Sequence, residues 1–100
     1  MTYHSITVDK AKIAAFCRRN GIQRLSLFGS ILREDFRPES DIDVLVEFEK
    51  GRAPGWIGFA RLALELEDMF GREVDLRTPA DLSATIRAKA LAQLQVQYAA

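Results

Sequence analysis

One cysteine, one histidine and three prolines are all that these 100 residues hold of those types, and each scarcity closes a route. Cys17 has no partner for an internal disulfide, so a stapled secreted scaffold is excluded. One His and one Cys are too few for a zinc site. No apolar run is long enough for a signal-peptide core or a membrane span, so the cytoplasm is the expected compartment and no membrane partner is expected. An excess of one charge is missing as well: 14 Lys and Arg stand against 14 Asp and Glu. That balance argues against direct nucleic-acid binding, which draws on a basic surplus. What remains is ordinary globular material, 48% hydrophobic and 28% charged, at the length of one domain spanning residues 1–100.

Hydrophobic periodicity divides the chain into alternating helices and strands. Residues 8–19 place Ile13, Phe16 and Cys17 on one helical stripe, with Thr7 as N-cap and Asn20-Gly21 as the stop. Residues 23–28 read as a strand broken by Ser26 and ended by a tight turn at Gly29-Ser30. Residues 31–40 are charged and contain Pro38, which fits a loop or a short helical turn. In 41–48, Ile42, Val44, Val46 and Phe48 share one strand face; Asp41, Asp43, Leu45 and Glu47 share the other. A surface connection with Pro54 follows over 49–55.

Over 56–70, Phe59, Leu62, Ala63, Leu66, Met69 and Phe70 make a buried helical stripe, and Gly71 stands where a C-cap glycine belongs. Trp56, beside Ile57 and Phe59, is assigned to the same core, a partner anchor being the other reading. Residues 73–77 alternate as a third strand. Thr78-Pro79 breaks the chain, and Ile86, Ala90, Leu91 and Leu94 mark a last helix that frays into the terminus. The expected fold is α/β: a small mixed β-sheet with helices packed on its aliphatic face and the other face open.

The acidic residues of that open face carry the chemistry. Asp41 and Asp43 would lie about 6–7 Å apart along one strand and point the same way. A carboxylate from the next strand, about 4.8 Å across the sheet, would complete a set, and Asp75 is the candidate. Such hard oxygen donors suit Mg²⁺ or Mn²⁺, which keep several waters and take further ligands from phosphate oxygens. Gly29 allows the backbone to approach a phosphate, and the Ser30 hydroxyl can donate to it. Taken alone, Asp-x-Asp also fits a solvated strand face, and Asp75 an exposed carboxylate paired with Arg77.

Gly29-Ser30, ten further residues, then Asp41-Ile42-Asp43 resembles the signature of the nucleotidyltransferase superfamily that shares the DNA polymerase beta palm. LFGSILRED, PESDIDVLVEF and GREVDLRTP extend the resemblance to the minimal nucleotidyltransferases, the antitoxins of HEPN/MNT toxin–antitoxin pairs, over most of the chain. The resemblance implies a nucleotidyltransferase palm in which Asp41, Asp43 and Asp75 hold two Mg²⁺ ions, with Mn²⁺ as a substitute. It implies that Asp75 activates the attacking hydroxyl and that Gly29 and Ser30 hold the phosphates of ATP. Arg33 matches a frequent arginine of the family; the glycine that usually follows it is Glu34 here. Arg33 and Arg37 also fit plain loop or partner-contact residues, His4 a bystander, and Cys17 a small core residue. The implied partner is a HEPN ribonuclease toxin that receives AMP on a tyrosine hydroxyl and is silenced. Neutralisation by binding and occlusion, without catalysis, is the alternative.

Overall fold

In the computed structural model, residues 2–3, 6–29 and 41–100 are described. The chain opens with two short strands, β1 (Thr2–Tyr3) and β2 (Ile6–Thr7), that pair antiparallel. Helix α1 (Lys10–Asn20) follows. Its N-cap is Asp9, whose carboxylate accepts from the Ala11 and Lys12 N–H groups at 3.0 and 3.2 Å. Thr7, expected as the cap, belongs instead to β2, because Asp9 satisfies the first free donors of the helix from a closer position. Gly21 ends α1 in the left-handed region at φ 65°, as its sequence position predicts.

The main sheet has the order β5-β4-β3-β6. Strands β3 (Ile22–Phe28) and β4 (Ile42–Phe48) pair antiparallel. Helix α2 (Trp56–Phe70) then carries the chain back so that β5 (Val74–Arg77) lies parallel to β4. A 3-10 turn (Pro79–Asp81) and helix α3 (Ala84–Gln93) lead into β6 (Gln95–Ala99), antiparallel to β3. The mixed α/β sheet expected from the sequence is therefore present. β6 replaces the frayed terminus: Leu94 lies beyond the helix, and the residues after it complete the open edge of β3.

The core forms where the sequence places it. Ile13, Phe16 and Cys17 of α1, Ile42, Val44 and Val46 of β4, and Leu62, Leu66 and Phe70 of α2 are buried together on one sheet face. Burial pushes the Cys17 thiol up to about 12, a small apolar core residue and no nucleophile. The other face is less open than expected. Leu45, 1% exposed, packs there with Phe28 and Leu82, and Leu94 leans on the group. Arg87 holds this cover down, donating to the Pro79 and Leu82 carbonyls at 3.0 and 3.3 Å.

Trp56 departs from its core assignment. It is 92% exposed, because the first turn of α2 projects outward and the helix buries itself through Leu62, Leu66 and Phe70. Among the described residues no helix is long and apolar enough to cross a membrane. Leu66 has no solvent exposure. Leu66→Ala is expected to lower unfolding free energy by about 2–5 kcal/mol in a urea titration, with little change in the slope of the transition.

Candidate active site

Two strand pairings assemble the site. Phe28 is the register partner of Asp43 across β3 and β4, so the turn that follows Phe28 begins directly beside that acid. Gly29 occupies this turn at φ 75°, in the left-handed region where glycine carries no steric cost. A Cβ added to Gly29 would collide with the Asp43 Oδ2 and stand 3.0 Å from its carboxyl carbon. Backbone and carboxylate are thus in direct apposition, and only glycine leaves room for it.

On the other side of β4, Asp43 pairs in register with Asp75 of β5. Side chains at register partners of neighbouring strands project to the same face. Asp41 stands one residue before β4 and is exposed. Asp43 and Asp75 line a cleft of about 180 Å³ together with Phe28, Arg77, Asp81 and Leu82; Asp41 is outside that lining.

Asp75 is engaged by Arg77, as its exposed-strand reading anticipated. The Arg77 Nε donates to Asp75 Oδ1 at 3.0 Å and Nη2 to Oδ2 at 3.2 Å, a two-point contact. These hydrogen bonds, and then the Asp75 charge, push Arg77 further above its ordinary value; slight burial opposes this, and Asp43 and Asp81 add to it. Among the described residues that line the cleft, Arg77 is the cation beside three carboxylates, Asp43, Asp75 and Asp81.

Among the described residues no group of three or more His, Cys, Asp or Glu side chains is placed to hold a metal ion. The donor set nonetheless fits a hard divalent ion. Mg²⁺ is ordinarily held by one or two carboxylates, with water and substrate phosphate completing its shell. Asp43 beside the Gly29 backbone offers that kind of half-site, with Asp75 on the same face. Ser30 and Arg33 lie outside the described residues, as do Glu34, Arg37 and His4.

Sequence reading missed Asp81 and the wall it builds. The Thr78 N–H and hydroxyl both donate to Asp81 Oδ2, at 3.1 and 3.0 Å, fixing the turn at the cleft edge. The signal was legible: Thr78 followed three residues later by Asp81 resembles a helix-start capping pattern.

Comparison with known proteins bears on the family of the chain. The family described as the nucleotidyltransferase domain matches residues 10–96. A Methanocaldococcus jannaschii protein, provisionally named a protein adenylyltransferase, is 40% identical over 74 residues, 74% of this chain and 77% of its own length. The protein adenylyltransferase MntA of Thermococcus cleftensis is 35% identical over 68 residues, 68% of this chain and 67% of its own. A solved complex of a tri-AMPylated Shewanella oneidensis HEPN toxin with its MNT antitoxin shares the fold at a TM-score of 0.65, with 24% identity, covering 91% of this chain and 70% of that one. A family match across nearly the whole sheet, and a relative this similar over three-quarters of both lengths, settle the assignment: the chain belongs to the nucleotidyltransferase domain family.

Proposed function

We propose that this protein is an antitoxin that transfers AMP from MgATP to a tyrosine hydroxyl of a cognate HEPN toxin. The observation that carries the reading is the apposition of Gly29 with Asp43, itself in register with Asp75. The names of its relatives support the same class of reaction and partner. In this reading Asp41, Asp43 and Asp75 hold two Mg²⁺ ions, or Mn²⁺ in their place. When bound, the ions supply charge stabilisation for the nucleophile and for the leaving phosphates.

The residues of the chain do the rest. Gly29 and Ser30 hold the triphosphate, the glycine by leaving its backbone accessible and the serine by its hydroxyl. Arg33 adds a cation near the same phosphates. The hydroxyl oxygen attacks the α-phosphorus in line, the bond to the bridging oxygen of pyrophosphate breaks, and the hydroxyl proton passes to Asp75. Arg77 places one hydrogen bond on each oxygen of that carboxylate, so the proton goes to a remaining lone pair or takes the place of one of these contacts. The rate gain is then mainly positional and electrostatic.

The Arg77–Asp75 contact is also what favours a second reading, an antitoxin that acts by occlusion with an idle acidic site. Intact mass of the cognate toxin after incubation with MgATP separates the two. Added AMP units are expected with the wild-type protein and none with Asp41→Asn or Asp43→Asn, a loss of about three orders of magnitude or more in rate. Toxin neutralised equally well by both variants, with no mass gain from any form, would establish occlusion.

Gly29→Ala forces a side chain onto Asp43 at positive φ. It is expected to lower stability by about 1–3 kcal/mol in denaturant titration. The initial rate of label transfer from α-labelled ATP should fall by about tenfold or more, through misplacement of the turn against the acid.

A further inference from the structure

Four large hydrophobic side chains are exposed among the described residues, and three of them stand on α2: Trp56, Ile57 and Leu64, at 92%, 75% and 64%. Ala60 is exposed between them. Trp56, Ala60 and Leu64 follow at i, i+4 and i+8, with Ile57 seven residues before Leu64, so an apolar stripe runs about 12 Å along the outward side of the helix. None of this reflects a loose helix end. The Phe59 N–H bonds to the Gly55 carbonyl at 2.9 Å, and the Phe59 ring packs on Phe48 at 6.4 Å between centroids. Gly58 sits so close to Pro54 that an added Cβ would stand 2.8 Å from the proline Cβ.

At the foot of Trp56 is a hollow of about 230 Å³ lined by Pro54, Gly55, Trp56, Phe59, Thr78 and Asp81. Asp81 also lines the acidic cleft that holds Asp43 and Asp75. Stripe, hollow and cleft are therefore one continuous surface with a shared wall. A contiguous apolar patch of this kind marks a contact site, and Trp is the residue type most enriched among energetically dominant contacts.

We propose that Trp56, Ile57 and Leu64 form the docking surface for the protein acceptor. An apolar-faced segment of the acceptor covers the stripe while its hydroxyl-bearing residue reaches past Asp81 into the cleft. This rests on the reading of the cleft as a site of AMP transfer to a protein. A second copy of the chain is the poorer occupant. An aromatic side chain buries about 150–250 Å², so self-pairing through the stripe alone covers a few hundred Å² per copy. A stable interface takes about 800 Å² per partner, more than the stripe alone offers, and an acceptor whose reacting residue enters the cleft also covers the hollow and the cleft rim.

The test uses the cognate HEPN toxin in nuclease-inactive form, with wild-type protein and the Trp56→Ser/Ile57→Ser double variant, whose replaced side chains are solvated already. The toxin Kd, the MgATP Kd, AMP transfer against toxin concentration, and the sedimentation mass of the free protein are measured. The double variant is expected to bind toxin about 30-fold more weakly or worse. Its transfer should be lost at low toxin and recovered at saturation, with the MgATP Kd and the mass unchanged. An unchanged toxin Kd overturns the proposal. So does wild-type protein that fails to bind the toxin, or a wild-type dimer that the double variant dissolves. Failure of the catalytic reading looks different: the toxin binds through Trp56 and Ile57 yet gains no AMP from the wild type.

Discussion

The parallel register of β4 with β5 is the constraint on which the site depends. It sets Asp43 beside Asp75, and a slip of one residue would carry Asp75 to the opposite face among Leu66 and its neighbours. Nothing local to β5 can enforce that register, since the strand is only four residues long. It is enforced from outside. Gly71 stops α2 with its N–H on the Glu67 carbonyl at 2.8 Å, and the Glu67 carboxylate takes the Val74 N–H at 3.0 Å. The Ile42 N–H then bonds the Glu73 carbonyl at 2.9 Å. The end of α2 thus delivers β5 at one offset, and the core stripe of Leu62, Leu66 and Phe70 fixes the helix that does so.

With that register set, the acids crowd, and the surroundings must meet the repulsion. Arg77 does so from within β5, two residues from Asp75 and therefore on the same face. An exposed pair of this sort adds little stability, about 0–1 kcal/mol. Its consequence is for the state of the site: the contact engages the carboxylate to which the proposed reaction assigns the proton, and a guanidinium so exposed is able to turn aside. The same crowding explains why the turn at Gly29 must lack a side chain. The space that a Cβ on Gly29 would fill is taken by the Asp43 carboxylate itself.

Legibility in the sequence followed the range over which each feature is specified. Asp41-Ile42-Asp43 and Gly29 could be read directly because strand alternation and a turn glycine are local facts, and α2 because Phe59 through Phe70 repeat at helical spacing. β6 was written there too, since Leu94, Val96 and Tyr98 alternate with Gln95 and Gln97 as a strand does, but the helical repeat running into Leu94 masked it; the segment pairs with the edge of β3. Trp56 misled for a related reason: periodicity gives the phase of a helix but not where the sheet beneath it ends, and an aromatic in the first turn can project outward. Asp75 was legible as a candidate acid, and its engagement by Arg77 was legible as an alternative. The structure holds both, because register supplies the first and the two-residue strand period supplies the second.

These features bear on how so short a chain can perform a group transfer. Its two faces divide the labour: the aliphatic face of β4 takes α1 and α2 and supplies the core, leaving the acidic face with Phe28, Leu45 and Leu82 as its own small support. The acidic face is therefore free to hold a cleft of about 180 Å³ beside that support. An acceptor group that arrives on another protein enters such a cleft with a large body behind it. The body of the acceptor would close it, and the apolar stripe beside Asp81 lies where that body would rest. Binding and completion of the site then become one event, so that ATP meets a nucleophile only when the intended protein is in place.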